Sequence, residues 1–190
     1  MAVYGNQSLA LVGEEAPCIP LSFYGISKFT SEQYLRVAEQ EGLKSTSFRM
    51  FSVYGPGQNL KNLKQGMVSI YLAYLLKGIP VPVTGSLERI RDFIYIDDVI
   101  DAWMRALARP STSSLVYNLG MGKATKVHEL LDLLKKACGI PDHPIEEHPG
   151  STSDQFGFVA NIARVKTDLN WIPSMMLSEG IKEMITWARS

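Results

Sequence analysis

The side chains best suited to chemistry lie at Tyr24-Gly-Ile-Ser-Lys28. On a helix, positions i and i+4 share a face, with Cβ atoms roughly 5–6 Å apart. A lysine ammonium held there favours the phenolate, which makes the tyrosine usable as a base near neutral pH. The lysine keeps further donors for the hydroxyl groups of a ribose. Taken alone, the same spacing also describes an ordinary exposed helix pair. Arg91 is a second candidate, because a guanidinium fork suits phosphate oxygens. Its alternative is a surface ion pair with Asp92 or Asp97. Asp97-Asp98 is a carboxylate pair, but a helix N-terminus favours acids anyway, and capping is the better reading. His128, His143 and His148 have no metal-ligand spacing, so no metal site is expected.

The elements that must position these groups alternate between strand and helix. A helix is expected from Tyr24 to about Gln40, with Gly42 after it. Ser45 to Phe51 reads as a short strand, closed by Gly55-Pro56. A loop rich in Gly, Asn and Lys covers 56–65. Met67 to Leu76 reads as a helix, stopped by Gly78 and Pro80. Val81 to Thr84 is an edge strand at best, because Pro82 lacks an N–H. Phe93 to Ile96 is another extended run. Asp97 can cap the helix after it, which carries Val99, Ile100, Trp103, Ala106 and Leu107 at helical spacing and ends at Pro110. Val116 to Leu119 is a strand. Lys126 to Cys138 is a helix with Val127, Leu130, Leu131, Leu134 and Ala137 on one side. Asn161 and Ser178 cap the last two helices. Residues 6–22 and the stretch around Glu146-Glu147 read as loops. Such alternation places the chain in the α/β class.

The 190 residues suit one large domain or two small ones, and a 46% hydrophobic content can bury a sizeable core. Nineteen basic residues balance nineteen acidic ones, which gives no support to a nucleic-acid partner. No apolar run nears the length of a membrane span. Cys18 and Cys138 read as free thiols of a reducing compartment, so a cytoplasmic location is expected. No G-x-G-x-x-G stands at a strand-to-helix turn; Gly120-Met-Gly122 lacks the third glycine.

Five blocks in order then carry a resemblance. Val3-Tyr4-Gly5 is followed by Tyr24-Gly-Ile-Ser-Lys28. Next come Arg49-Met-Phe-Ser-Val-Tyr-Gly-Pro-Gly57, Arg91-Asp-Phe-Ile-Tyr-Ile-Asp-Asp98, Tyr117-Asn-Leu-Gly-Met-Gly122 and Leu169-Asn-Trp-Ile-Pro173. The set resembles the extended short-chain dehydrogenase/reductase family of NAD-dependent nucleotide-sugar epimerases and dehydratases, and most of all its UDP-glucose 4-epimerases. The resemblance implies the C-terminal part of a Rossmann-type parallel sheet with a smaller α/β substrate-binding domain. Residues 1–56 and 90–121 match the NAD-binding domain, and 57–89 and 122–190 the nucleotide-sugar domain. The family's catalytic Ser or Thr would fall one residue before Met1, and its glycine loop further upstream. On that alignment the chain is a C-terminal portion, expected to have no measurable NAD affinity and no epimerase activity alone.

Position by position, the resemblance makes Tyr24 the catalytic base and acid, and Lys28 the residue that tunes it and holds the nicotinamide ribose. Phe51 matches the contact to the nicotinamide end of NAD. Ser52 stands where the family has an Asn that touches the sugar or phosphate. Met67 and Val68 begin the helix lining the nucleotide pocket, and Pro82, Val83 and Thr84 match the strand at the uracil. Arg91 matches the diphosphate arginine, and Asp154 the aspartate at the uridine ribose; Ser151 replaces the arginine of that R-x-x-D block. Phe158 matches a position that sorts acetylated from plain hexoses and points to the plain ones. The implied partner is a UDP-sugar, together with a second copy through the Tyr24–Gln40 helix. The implied reaction takes the 4-hydroxyl proton on Tyr24, passes hydride to NAD, and returns it to the other face of the rotated keto-sugar. Ala2 argues against a 4,6-dehydratase, which needs an acid there; a reductase, a decarboxylase or a non-catalytic binding fragment are the other readings. The missing front half also implies an exposed apolar face prone to association.

Overall fold

The computed structural model describes residues 1–7, 10–64, 66–109, 116–150 and 156–190. In chain order the elements are β1 (Leu11–Val12), α1 (Phe23–Gln40), β2 (Ser47–Met50), β3 (Ser52–Tyr54), α2 (Met67–Lys77), β4 (Val81–Thr84), β5 (Ile90–Arg91), β6 (Phe93–Tyr95), α3 (Ile96–Ala108) and β7 (Val116–Leu119). They continue with β8 (Thr125–Lys126), α4 (Val127–Cys138), β9 (Ile145–His148), β10 (Val159–Ala160), α5 (Ala163–Leu169) and α6 (Leu177–Arg189).

The strands pair in parallel as β1–β10, β2–β7, β3–β6 and β4–β9, while β5–β8 is antiparallel. Parallel pairs need crossovers, and the intervening helices supply them. The extended run from Ser47 to Tyr54 changes partner at Phe51. There the Phe51 N–H donates to Leu119 (2.8 Å) and the next N–H, of Ser52, donates to the Asp92 carbonyl (2.9 Å).

Apolar periodicity decides where the core forms. Val127, Leu130, Leu131 and Leu134 of α4 are buried against α2, β4 and α6. Each such side chain contributes roughly 1.5–3 kcal/mol by leaving water. A second cluster joins Ile94, Val99 and Ala102 to Tyr117, Leu119, Val165 and Trp171. A third holds Val3, Tyr4, Val12, Phe51, Phe158 and Ala160.

Several expectations need correction. β9 lies where a loop was expected, because Glu146, Glu147 and His148 are exposed and leave no apolar alternation to read. β1 and β10 are too short to show a period. Asp97 and Ser178 sit inside the first turns of α3 and α6, whose N-caps are Tyr95 and Met176. Asp98 reaches across instead and accepts from the Ser174 N–H and hydroxyl (both 2.9 Å) and the Met175 N–H (3.1 Å). Asn161 serves α5 from one residue before the cap, accepting from the Ala163 N–H at 3.0 Å. The stop expected at Pro110 lies outside the described residues.

Two helices keep apolar faces in solvent. On α1 only Gly25 is buried, and Phe23, Ile26, Tyr34 and Val37 are exposed. On α3 the exposed large apolar residues are Ile100, Trp103, Met104 and Leu107. No helix among the described residues is long and apolar enough to cross a membrane.

Candidate active site

Ser22 sets the start of α1, its hydroxyl accepting from the Gly25 N–H at 3.1 Å. Gly25 then sets how close the helix comes to the first turn of the chain. A Cβ there would lie 2.5 Å from the Ala2 carbonyl oxygen and 2.9 Å from Pro20 Cβ. The glycine thus lets Ala2 and Pro20 lie against the helix turn that carries Tyr24 and Lys28. Both side chains are exposed, and the Lys28 ammonium lies 5.4 Å from the Tyr24 ring centroid, within cation–π range. The hydroxyl and ammonium are the donor set a ribose diol takes, so they fit the nicotinamide ribose of NAD.

Beneath α1 a polar network ties three of the motif blocks together. Arg49 meets Glu32 with Nη2 at 2.7 Å and Nε at 3.1 and 3.2 Å from the carboxylate oxygens. Its Nη1 donates to the Glu14 carbonyl (2.9 Å), and its guanidinium lies 4.8 Å from the Tyr4 ring centroid. The Tyr4 hydroxyl donates to Asn118 Oδ1 at 2.6 Å. Burial pushes that phenol up to about 12, although the Arg49 and Asn118 bonds pull the other way. Asn118 in turn donates to the Val12 carbonyl through Nδ2 and to Glu14 Oε1 through its backbone N–H.

Phe51 and Phe158 meet edge to face, with centroids 5.8 Å apart and planes at 90°, and Tyr4 stands edge-on to Phe158 at 5.9 Å. Phe158 is therefore fully buried, between the motif residues Tyr4 and Phe51. Ser52 is half-buried opposite Phe93. Arg91 is half-buried on β5, with Nη1 2.7 Å from the Ile90 carbonyl. Met67 and Val68 open α2, Val68 being buried. Pro82, Val83 and Thr84 run along β4, with Thr84 exposed and Val83 buried. Asp154 lies outside the described residues.

Of these motif residues, Ser52 through its N–H (2.9 Å) and Arg91 through the chain adjoin one residue, Asp92. Its carboxylate is fully buried and accepts three backbone N–H bonds, from Met121 (2.6 Å), Gly122 (3.1 Å) and Ala160 (3.0 Å). A Cβ on Gly120 would stand 2.5 Å from Asp92 Oδ2, so only glycine leaves room for this cradle. Sequence reasoning considered Asp92 only as an ion partner for Arg91, because spacing cannot distinguish a buried acid from an exposed one. It also missed Arg89, which is buried and donates to the Ser86 carbonyl (3.0 Å) and the Thr84 carbonyl.

Burial raises the Asp92 carboxyl from 3.8 to about 6, against the pull of its three N–H bonds. A folded value above the unfolded one means that the stabilisation is complete below about pH 4 and is lost as the pH rises through about 6. Urea unfolding of wild type and Asp92→Asn at a series of pH values checks this. Between about pH 4 and 6 wild type is expected to lose stability relative to the non-titrating variant; parallel profiles contradict it.

Comparisons with known proteins bear on the family and the fold. The family model "NAD dependent epimerase/dehydratase family" matches residues 1–120. A UDP-glucose 4-epimerase of Mycolicibacterium smegmatis is 31% identical over 190 residues, covering all of this chain and 60% of the relative. A dTDP-4-dehydro-6-deoxyglucose reductase of Escherichia coli is 32% identical over 190 residues, covering 96% and 57%. Among solved structures, the Thermotoga maritima UDP-glucose 4-epimerase with UDP-glucose superimposes with a TM-score of 0.91 at 33% identity, covering 99% of this chain and 60% of that one. The chain spans about 60% of the length of the relatives it matches. With a family match over more than half its length and the same α/β fold as those enzymes, the chain belongs to the NAD-dependent epimerase/dehydratase family.

Proposed function

We propose that this chain carries the nucleotide-sugar site of a 4-epimerase of the UDP-glucose/UDP-galactose type. The joining of Ser52 and Arg91 at Asp92, whose carboxylate also holds the Ala160 N–H two residues past Phe158, supports the reading above all else. Arg91 pairs the diphosphate, Ser52 touches the sugar, and Phe158 behind Phe51 limits the room at the sugar end. Pro82, Val83 and Thr84 on β4, with Met67 and Val68 at the start of α2, take the uracil, and Asp154 takes the uridine ribose. Tyr24 removes the proton of the sugar 4-hydroxyl and later returns it, while Lys28 steadies its phenolate. NAD, when bound, supplies the hydride acceptor. Firm contacts to the nucleotide leave the sugar free to present either face.

Residues 1–56 and 90–121 are assigned to the NAD-binding domain and 57–89 and 122–190 to the sugar-nucleotide domain. The exposed apolar side chains of α1 support a second copy as partner, and the two free thiols support a cytoplasmic setting. The sequence holds no glycine-rich phosphate loop, which favours a second reading for these 190 residues by themselves: a weak UDP-sugar binder without turnover. Titration calorimetry separates the readings. UDP-glucose is expected to bind, Arg91→Ala to weaken it about tenfold or more through loss of a charge-assisted bond, and NAD to give no heat. Silence with UDP-glucose overturns the substrate assignment; tight NAD binding overturns the second reading.

A further inference from the structure

We infer that Asp92 is a positioning residue that keeps the diphosphate-and-sugar end of the site in shape; this rests on the nucleotide-sugar reading above. Four segments meet at this residue. Its backbone carbonyl accepts from the Ser52 N–H (2.9 Å), which fixes where β3 leaves the β2–β7 pair. Its covalent neighbour is Arg91. Its carboxylate holds the Met121 and Gly122 N–H groups of the turn after β7, and the Ala160 N–H two residues past Phe158. The Ala160 N–H lies outside the β1–β10 ladder, whose bonds run from the flanking Val159 and Asn161 N–H groups to Ala10 and Val12. That donor is therefore committed to Asp92. Gly120 completes the fit by leaving the carboxylate room.

The base-binding elements have separate support. β4 is laddered to β9, and α2 packs with α4 and α6. None of the three carboxylate bonds reaches them. Removing the carboxylate should therefore loosen the diphosphate-and-sugar end and spare the uracil end. Asparagine keeps only one of the two acceptor oxygens, so one or two of the three donors would be stranded and the Gly120–Gly122 turn or β10 would drift from Arg91, since buried N–H groups do not stay unpaired.

The test compares Asp92→Asn with wild type by NMR titration, using UDP-glucose and uridine as probes. Uridine offers the base and ribose but neither diphosphate nor hexose. The variant is expected to lose about tenfold or more in UDP-glucose affinity, the equivalent of a bond to a charged group, while its uridine affinity stays within about twofold of wild type. Equal losses on both ligands indicate general damage and overturn the assignment, as does unchanged UDP-glucose affinity. If the variant does not fold, the wild-type amides of Met121, Gly122 and Ala160 decide. They should shift with UDP-glucose and not with uridine, and no shift overturns the assignment. Wild type binding neither ligand overturns the nucleotide-sugar reading itself, a result distinct from a variant that behaves like a wild type that binds.

Discussion

Arg49→Met is expected to lower the unfolding free energy by about 3–5 kcal/mol, the cost of breaking a buried ion pair from one side. The side chains of Arg49 and Glu32 are only 7% and 11% exposed, so water replaces little of the lost bonding. Three nitrogen-to-oxygen contacts of 2.7 to 3.2 Å make the pair bidentate. Methionine fills much of the same volume but leaves the Glu32 carboxylate facing the interior and the Glu14 carbonyl without its donor. Arg49→Lys should fall between, because an ammonium keeps the charge and loses the fork. Adding Glu32→Gln to Arg49→Met should recover part of the loss, since the stranded charge is then removed. Urea midpoints at constant slope measure all three. A loss under about 1 kcal/mol for Arg49→Met would show that the pair behaves like a surface bridge.

Trp171→Ala should cost a similar amount, about 3–5 kcal/mol, by opening a large cavity. Trp171 is fully buried and packs in one cluster with Ile94, Val99, Tyr117, Leu119 and Val165. Its indole N–H donates to the Asp98 carbonyl at 3.0 Å, while the Asp98 carboxylate holds the Ser174 and Met175 N–H groups. The block Leu169-Asn-Trp-Ile-Pro173 is thereby fastened to the start of α3. Trp171→Phe separates the two contributions: it keeps most of the apolar volume and removes the indole N–H bond to the Asp98 carbonyl, which keeps its place in the α3 ladder. Its expected loss is about 1–3 kcal/mol, from the lost bond and the smaller ring together. Thermal unfolding followed by circular dichroism ranks the two variants. If Trp171→Ala melts within a few degrees of wild type, this residue is not the anchor described.

How much was legible depends on the kind of signal. α2 and α4 fell within a residue or two of expectation, because apolar side chains recurring every three to four residues write the buried face directly into the sequence. β9 did not, because exposed acids on a short edge strand carry no alternation. Asp97 and Ser178 were assigned as caps from residue type alone, while the helices begin just before them. For the site, the Tyr24–Lys28 pair was legible because one helix turn fixes it, and the structure keeps the two side chains in contact range.

The sequence by itself determined the family, the alternation of strands and helices, and the helical pair at Tyr24 and Lys28. These are carried by spacing along the chain, and spacing survives in a string of letters. Only the tertiary structure decided what the other motif residues touch. Tyr4 meets Asn118 across 114 positions, Trp171 meets Asp98 across 73, and Asp92 meets Ala160 across 68. No local periodicity encodes such partners. They follow from burial, which forces each polar group withdrawn from water to find a bond wherever the folded chain offers one. That demand turned Asp92 from a suspected surface partner of Arg91 into a buried acid that ties Ser52, the turn after β7 and β10 together.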